Sequence, residues 1–581
     1  MPVATENFFS FPFIEDFIDQ PTPAEHKHRA MSRCACSLAA SLHSSVCILT
    51  QQRSSVVTAD RTLKPDSQVY KDNHDNLQYF SHFTRTLQEL LKIFTALNSP
   101  PSVEPSVEQR QMLWTYRFSL LNMERAMKRL LLWFDDSSCA DPTESQLVKD
   151  LIAEWERQVA LTPYDVLPLL SQSFRNPVLR KFAVQILKKN EQGHDESMQQ
   201  MLLQLVQALR YEEQINSSPL AELLVKRSQR HEATAYALNW FLTAEVRTDP
   251  RNMKFNTMTG RLMQALTTKQ KASLTLQNDM VDELVVIASE VKSLPSKQRV
   301  AALREMLQKS KFPFSKFSDM IPLPIDPQLK AKCLEIERSE VYTSSQVPVG
   351  LTFVLEDGSR YSAILKTGDD VRQDQLILQT ICIMDGILKR YGVDMRLTPY
   401  RALAVSKTAG FVQKVPDCER MSVILSKYSG SIINFLKEQP PPTRDVGSSG
   451  EKEKGGRREM ANKYGINAEV YYNFVYSCAG YCVITYILGI GDRHLDNILI
   501  QRNGKLFHID FGFILGADPK LMPPPMRIVQ PMIDAMGGVR GEEWATFLDL
   551  CVEMFNRLRK HADFFVSLFA LMKHGGIIGI R

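Results

Sequence analysis

The sequence predicts an α+β protein in which an α-helical solenoid precedes a two-lobed domain of mixed strands and helices. Three observations carry this. From Gln109 to about Val246, apolar residues recur at the helical interval. From Phe353 the interval shortens to that of strands. Beyond these strands lie two polar runs, Gly491-Asp492-Arg493-His494-Leu495-Asp496-Asn497 and His508-Ile509-Asp510-Phe511-Gly512, separated by a short apolar hairpin pattern.

Taken in order, residues 1–103 show no sustained periodicity, and Asn98 to Ser106, rich in proline and serine, reads as a linker. Residues 104–250 form the expected helical domain. Its first helix shows Leu113, Tyr116, Leu120, Met127, Leu130 and Leu131 near helical spacing. Tyr164 to Phe174, then Asn176-Pro177 opening Val178 to Leu187, predict short antiparallel helices joined at turns. Residues 251–318 read as a helical connector and 319–581 as the two-lobed domain. There Leu351 to Leu355 and Arg360 to Lys366 flank a turn at Asp357-Gly358, a hairpin. Ile377, Ile381, Met384 and Leu388 mark a helix face, and 439–463, full of proline, glycine and alternating charge, reads as a disordered surface insertion.

At 581 residues the chain has room for roughly two to four domains, none needing disulfide staples. A net charge of +5 is a weak basic bias, suited to an anionic membrane surface and too small to call for nucleic acid. The ten cysteines are scattered, which predicts reduced thiols in a cytoplasmic protein and no cysteine-held metal. Cys34/Cys36 and Cys478/Cys482 alone are close together. The latter stand four apart, on one helix face, and are expected in a core. Glu6, Glu15, Asp16 and Asp19 rule against a secretory leader, and Cys34 to Leu49 is too short and polar to span a bilayer. Membrane contact is expected to be peripheral.

In a protein kinase, a catalytic-loop Asp shortly precedes an Asn that holds Mg²⁺, and a DFG Asp downstream holds the metal that bridges the nucleotide phosphates. Asp492, Asn497 and Asp510 reproduce that order, which predicts a protein-kinase-like catalytic domain. Ile498 to Ile500 and Lys505 to Ile509 alternate around Asn503-Gly504, a hairpin that would place the Asn and the Asp at neighbouring strand ends. Lys366 ends the strand Ser362-Ala363-Ile364-Leu365, ahead of Gly368-Asp369-Asp370-Val371-Arg372-Gln373-Asp374, where a cation would neutralise phosphates. Neither a G-x-G-x-x-G loop nor a Walker motif precedes it, only Val341 to Pro348, so an ordinary protein kinase and a Walker ATPase are disfavoured. The order Asp-Arg-His leaves His494 as a second candidate base beside Asp492.

GDDVRQDQLILQ from Gly368, CAGYCVITYILGIGDRHLDNILI from Cys478, GKLFHIDFGFILG from Gly504 and LMPPPM from Leu521 closely resemble the phosphatidylinositol 3-kinases. The HLDN and PPPM versions resemble class III, the vacuolar protein sorting type, over residues 105–581. The resemblance implies transfer of the ATP γ-phosphate to the inositol 3-hydroxyl of phosphatidylinositol, giving phosphatidylinositol 3-phosphate for endosomal trafficking and autophagy. It implies a phosphate loop at 341–348 with Ser344, Lys366 on the phosphates with Asp374 and Tyr400 in support, and a hinge at Gln413 to Val415 against adenine. Asn497 and Asp510 would hold Mg²⁺, or Mn²⁺ in its place, in a catalytic loop at 489–497 organised by Arg493. It also implies a regulatory scaffold kinase-like subunit, a Beclin-type subunit, and a peripheral place on endosomal and autophagic membranes.

The activation segment, 510–537, carries Lys520 and Arg527 as its cations, offset in part by Asp518, which favours phosphatidylinositol over its bisphosphate. Family members carry a β-sandwich before the helical domain and helices beyond the kinase core. Residues 1–65 are too short for the former and Arg581 ends the chain before the latter, so the apolar run Phe564 to Met572 is expected to be partly uncovered. Two rivals are a phosphatidylinositol-kinase-related protein kinase, opposed by Gly368 to Gln379 and Met522 to Met526, and a silent scaffold, opposed by intact Lys366, Asp492, Asn497 and Asp510.

Overall fold

The computed structural model describes residues 106–117, 142–174, 176–190, 197–439, 463–577 and 579–580, with isolated positions 92, 93, 95, 96 and 131. Most of 1–103, the helix positions Leu120, Met127 and Leu130, and all but the ends of the 439–463 insertion lie outside the described residues. The chain divides into two units, one of residues 1–161 with Asn176–Val178, the other of Thr162–Arg175 with Leu179–Arg581.

In the first unit α1 spans Val107–Thr115 and α2 Pro142–Gln158. Ser106 starts α1 by a reciprocal cap. Its Oγ accepts from the Gln109 amide at 3.2 Å, and Gln109 Oε1 accepts from the Ser106 amide at 2.9 Å, so donors the helix cannot satisfy find partners. Along α2, Val148, Leu151, Ile152 and Trp155 are buried, a single helix face.

The second unit opens with helices. α3 (Pro163–Val166) gives way to a 3₁₀ turn, Leu167–Leu170, where the sequence pattern alone suggested one helix to Phe174. Pro168 is the cause, since it has no N–H for the helical ladder and tightens the winding. Then follow α4 (Pro177–Asn190, its first two residues in the other unit), α5 (Leu202–Ala208), α6 (Pro219–Arg230), α7 (Glu232–Thr248), α8 (Met253–Ala265), α9 (Thr268–Ser293) and α10 (Arg299–Lys309).

A seven-stranded antiparallel sheet comes next: β1 (Ile321–Pro322), β2 (Lys330–Leu334), β3 (Glu340–Val341), β4 (Val349–Leu355), β5 (Arg360–Thr367), β6 (Ala402–Ser406) and β7 (Ala409–Gln413). Its order is β1-β2-β4-β5-β7-β6, with β3 beside β4. The expected β4–β5 hairpin forms, with Leu351 opposite Ala363 and Gly358 in the turn at φ 86°. One face of the sheet shares a core with the preceding helices, Val291 and Leu303 packing among Leu351, Ala363 and Leu365. α11 (Arg372–Arg390) crosses after β5 and buries Ile377, Ile381, Met384 and Leu388 as read.

Residues 414–417 then leave the large sheet for a second one, formed by β8 (Cys418–Arg420), β9 (Ile498–Gln501) and β10 (Leu506–His508) in the order β10-β9-β8. β9 and β10 form the second expected hairpin. α12 (Ala468–Leu488) backs it, burying Cys478 and Cys482, and α13 (Glu542–Leu558) and α14 (Ala562–Met572) follow.

The run Phe564 to Met572 is α14: its Phe564, Phe565, Leu568, Leu571 and Met572 are buried, while Val566 is 46% exposed and Phe569 half-buried, so the run is covered on one face and open on the other. The cover comes from the helical region: Phe564 meets Tyr164 edge-to-face at 4.8 Å between centroids. Among the described residues no helix is long and apolar enough to cross a membrane.

Candidate active site

Charged side chains converge where the end of β5, the start of α11 and the end of the β9–β10 hairpin meet. Lys366 Nζ lies 3.3 Å from Asp369 and 3.8 Å from Asp374. Asp374, buried in the first turn of α11, accepts the Phe511 amide at 3.0 Å through its other oxygen. Burial works against the Lys366 ammonium, but Asp374, Asp369 and Asp510 outweigh it and hold its pKa above the ordinary value. The lysine therefore stays charged. Tyr400 is buried beside these groups, edge-on to Phe507 at 5.9 Å, and burial pushes its hydroxyl well above its usual pKa, so it remains a neutral phenol.

The catalytic loop is shaped by backbone. α12 stops at Gly489, left-handed at φ 53°, and Gly491 passes so close to the activation segment that a Cβ there would fall 2.2 Å from the Ala517 carbonyl. Asp492 is left-handed too, at φ 53°, and its amide donates to Asp518 Oδ2 at 2.7 Å. Asn497 Nδ2 donates to the Asp492 carbonyl at 3.0 Å, which leaves its Oδ1 as an acceptor. The Ile509 amide donates to the Asn497 carbonyl at 3.0 Å, so Asn497 and Asp510 stand at adjacent strand ends as the hairpin requires. Arg493 is buried and turns inward. It donates to the carbonyls of Gly491 and Ile509, each at 2.8 Å, and to that of Asp510. Its guanidinium ties the catalytic loop to the DFG strand.

His494 accepts the Asp496 amide on Nδ1 at 3.2 Å, and its Nε2 lies 4.0 Å from Asp492 Oδ2. Asp510 accepts the Gly512 amide at 3.2 Å on Oδ1, leaving Oδ2. Asn497 and Asp510 thus offer oxygen donors side by side, the chemistry that hard divalent cations take. Among the described residues no three His, Cys, Asp or Glu side chains converge on a metal position. A cation here would complete its shell with phosphate and water oxygens, as Mg²⁺ sites commonly do.

The side chains of the remaining sequence-derived residues make no hydrogen bond to this cluster among the described residues. Ser344 is exposed in the loop between β3 and β4. Gln413 ends β7, its side chain accepting the Arg401 amide, and Val415 lies in the link between the two sheets, its carbonyl accepting from Cys418 Sγ at 3.1 Å. Lys520 is exposed on the activation segment, and Arg527 lies half-buried with its Nε unpartnered. Asp518, read only as an offsetting charge, spends both oxygens on the Asp492 and Lys520 amides.

Sequence reasoning missed several positioning groups. Gln373 donates to the Phe511 and Gly512 carbonyls at 2.7 and 2.9 Å, and Asp369 approaches Lys366 more closely than Asp374 does. Both belong to the run that carried the resemblance. Nothing in their spacing distinguishes them from their neighbours.

A small sheet-based lobe, a large helical lobe and a lysine–carboxylate cluster between them define a protein of the kinase-like class. Residues 360–581 match the family model for phosphatidylinositol 3- and 4-kinase, and residues 82–275 match that for the phosphoinositide 3-kinase family accessory domain (PIK domain). Over these two regions the chain is similar to the catalytic and accessory domains of the phosphatidylinositol 3-kinases. It is 34% identical to phosphatidylinositol 3-kinase pik3 of Schizosaccharomyces pombe, over 96% of this chain and 64% of that protein. It is 34% identical to phosphatidylinositol 3-kinase VPS34 of Arabidopsis thaliana, over 83% and 58%. It is 31% identical to the phosphatidylinositol 3-kinase catalytic subunit type 3 of Caenorhabditis elegans, over 84% and 59%. The chain thus spans 58 to 64% of the length of these relatives.

Proposed function

We propose that the chain is a class III phosphatidylinositol 3-kinase, transferring the ATP γ-phosphate to the 3-hydroxyl of phosphatidylinositol. The gathering of Lys366, Asp374, Asp492, Asn497 and Asp510 where β5, α11 and the β9–β10 hairpin meet carries this reading, and the relatives' names support the substrate. ATP lies with its adenine against Gln413 to Val415 and its phosphates under Ser344 and on Lys366, with Asp374 and Tyr400 fixing the lysine. Mg²⁺ or Mn²⁺, held by Asn497 and Asp510, supplies neutralisation of the charge on the phosphoryl group in transfer.

Asp492 is the base in this reading. His494 spends Nδ1 on accepting the Asp496 amide, and its Nε2 lies 4.0 Å from Asp492 Oδ2, outside hydrogen-bond distance, so the Asp492 carboxylate is left free to accept. As the inositol oxygen bonds to phosphorus and the bond to ADP breaks, the hydroxyl proton passes to the Asp492 carboxylate. Arg493 keeps the loop in register.

Lys520 and Arg527 attract the headgroup, and Leu521 and Met522, the former fully exposed, meet the lipid surface beside them. The enzyme is peripheral on endosomal and autophagic membranes, with a scaffold kinase-like subunit and a Beclin-type subunit as partners, on the strength of the family resemblance. Residues 104–250 serve as the accessory domain, 251–318 as connector and 319–581 as catalytic domain.

Incubation with Mg-ATP and vesicles of phosphatidylinositol, its 4,5-bisphosphate, or a peptide mixture tests the reading. The 3-phosphate of phosphatidylinositol is the expected product, with hardly any turnover of the bisphosphate. Phosphorylated peptide without lipid product would replace it with the protein-kinase alternative.

A further inference from the structure

Lys292 sits in the last turn of α9, far in sequence from every motif described above. Its Nζ crosses to the catalytic domain and donates to Gln346 Oε1 at 2.7 Å and to the Thr367 carbonyl at 3.2 Å. Gln346 belongs to the 341–348 loop, and Thr367 follows Lys366 at the end of β5. One ammonium therefore joins the connector helix, the phosphate loop and the strand end that carries the phosphate-facing lysine.

The surroundings are fitted to it. Gly368 is left-handed at φ 79°, and a Cβ there would lie 2.8 Å from Lys292 Nζ. Arg299 pins the helix end, donating to the Leu294 carbonyl at 2.8 Å and to that of Lys292 at 3.3 Å, so the lysine stem starts from a fixed point. Next to Gln346, Val347 is buried at φ 51°, a conformation a β-branched residue adopts only when its neighbours impose it. Among the described residues no carboxylate pairs with Lys292, so its charge is left unneutralised beside a loop that would cover phosphates.

We propose that Lys292 is a positioning residue of the nucleotide site, clamping the 341–348 loop against the Gly368 turn and adding uncompensated positive charge for the ATP triphosphate. The proposal rests on the ATP-site reading above. It also makes α9 the element through which displacement of the helical region would reach nucleotide affinity.

The test compares the full chain with Lys292→Met, which keeps the apolar stem, and Lys292→Arg, which keeps charge and donors. Mg-ATP affinity, ATP KM, kcat, the KM for phosphatidylinositol vesicles and amide exchange over 342–348 without nucleotide are measured. For Lys292→Met, ATP affinity should fall and ATP KM rise about tenfold, the scale of one lost charged hydrogen bond. Its kcat and lipid KM should stay within about twofold, and exchange in the loop should quicken. Lys292→Arg should recover most of the ATP effect. Gln346→Ala, which keeps the ammonium, should quicken loop exchange as Lys292→Met does and reproduce part of the ATP effect, and the double variant should be no worse than Lys292→Met. This arm also decides the matter if Lys292→Met folds poorly. Unchanged loop exchange, unchanged ATP KM, or parallel loss of ATP and lipid binding would each overturn the proposal. A wild-type chain that binds no Mg-ATP would refute the ATP-site reading itself and this proposal with it. That failure shows in the wild type, whereas failure of the clamp alone shows only in the difference between variants.

Discussion

At the residue scale, the two carboxylates assigned to chemistry share an unusual backbone, Asp492 at φ 53° and Asp510 at φ 61°. Asn tolerates this left-handed region almost as well as Asp, so either Asp→Asn change removes a charge and spares the turn. Asp510→Asn should lower phosphotransfer about a thousandfold, the scale of losing a preorganised charge from such a site, with the unfolding transition little changed. Asp492→Asn should cost about a hundredfold or more, as expected for a general base. His494→Asn, which removes the imidazole beside that carboxylate, should cost about tenfold. Rates from all three on one lipid preparation check the assignment, and a greater loss in His494→Asn than in Asp492→Asn would reverse the two roles. His508 yields a pH prediction. It is fully buried, 3.2 Å from Thr485 Oγ1, and burial, with a smaller contribution from the Arg493 charge, holds its pKa well below the ordinary 6.5. The folded state thus binds fewer protons than the unfolded chain below that value, so stability is full above pH 6.5 and declines as pH falls beneath it. Melting temperature should drop between about pH 7 and pH 5.5, and His508→Asn should flatten that slope.

At the scale of elements, the catalytic loop and the activation segment are joined by Gly491 lying on Ala517 and by the Asp518 carboxylate holding the Asp492 amide. Asp518→Ala should free that amide and lower kcat about tenfold while nucleotide affinity holds, if the joint positions Asp492 as the proposed base and leaves the phosphates untouched. Equal losses in kcat and ATP affinity would show that it supports the whole cleft instead. This joint also marks where the sequence stopped being legible. The hairpins β4–β5 and β9–β10 could be read because alternation and an Asp-Gly or Asn-Gly turn are local signals, and α11 could be read because its buried residues keep one helical interval. The order Asp492, Asn497, Asp510 could be read because a hairpin sets the distance between its own ends. The 3₁₀ turn at Leu167 escaped because apolar spacing says nothing about the missing amide of Pro168. Asp374 on Phe511, Gln373 on Gly512 and Asp518 on Asp492 join segments 137, 139 and 26 residues apart. Such contacts follow from how the lobes dock, which no periodicity encodes. The Tyr164 ring against Phe564 escaped for the same reason.

At the scale of the molecule, the helical region and the catalytic domain of the second unit share apolar and polar contacts that belong to neither alone. Phe564 on α14 packs against Tyr164, over whose ring the Arg390 guanidinium from the end of α11 also lies, 4.6 Å from the centroid. Gln204 on α5, fully buried, exchanges amide hydrogen bonds with Gln379 on α11 at 2.7 and 3.2 Å. On the other face, Trp240 of α7 belongs to the same core as the seven-stranded sheet, and its indole donates to Gln277 of α9 at 2.7 Å. Buried amides satisfied only across such a boundary would be left unpaired if the two parts separated, a cost that favours opening together. These parts should therefore unfold as one cooperative body. Phe564→Ala should cost about 3 to 5 kcal/mol, the range for truncating a buried aromatic side chain. The loss should be felt on both sides: amide exchange in α5 and in α11 should share one opening free energy in the wild type, and both should fall by the same amount in the variant. A drop confined to α14 would mean that the helical region and the catalytic domain open independently, and that the apolar contact between them serves docking without coupling.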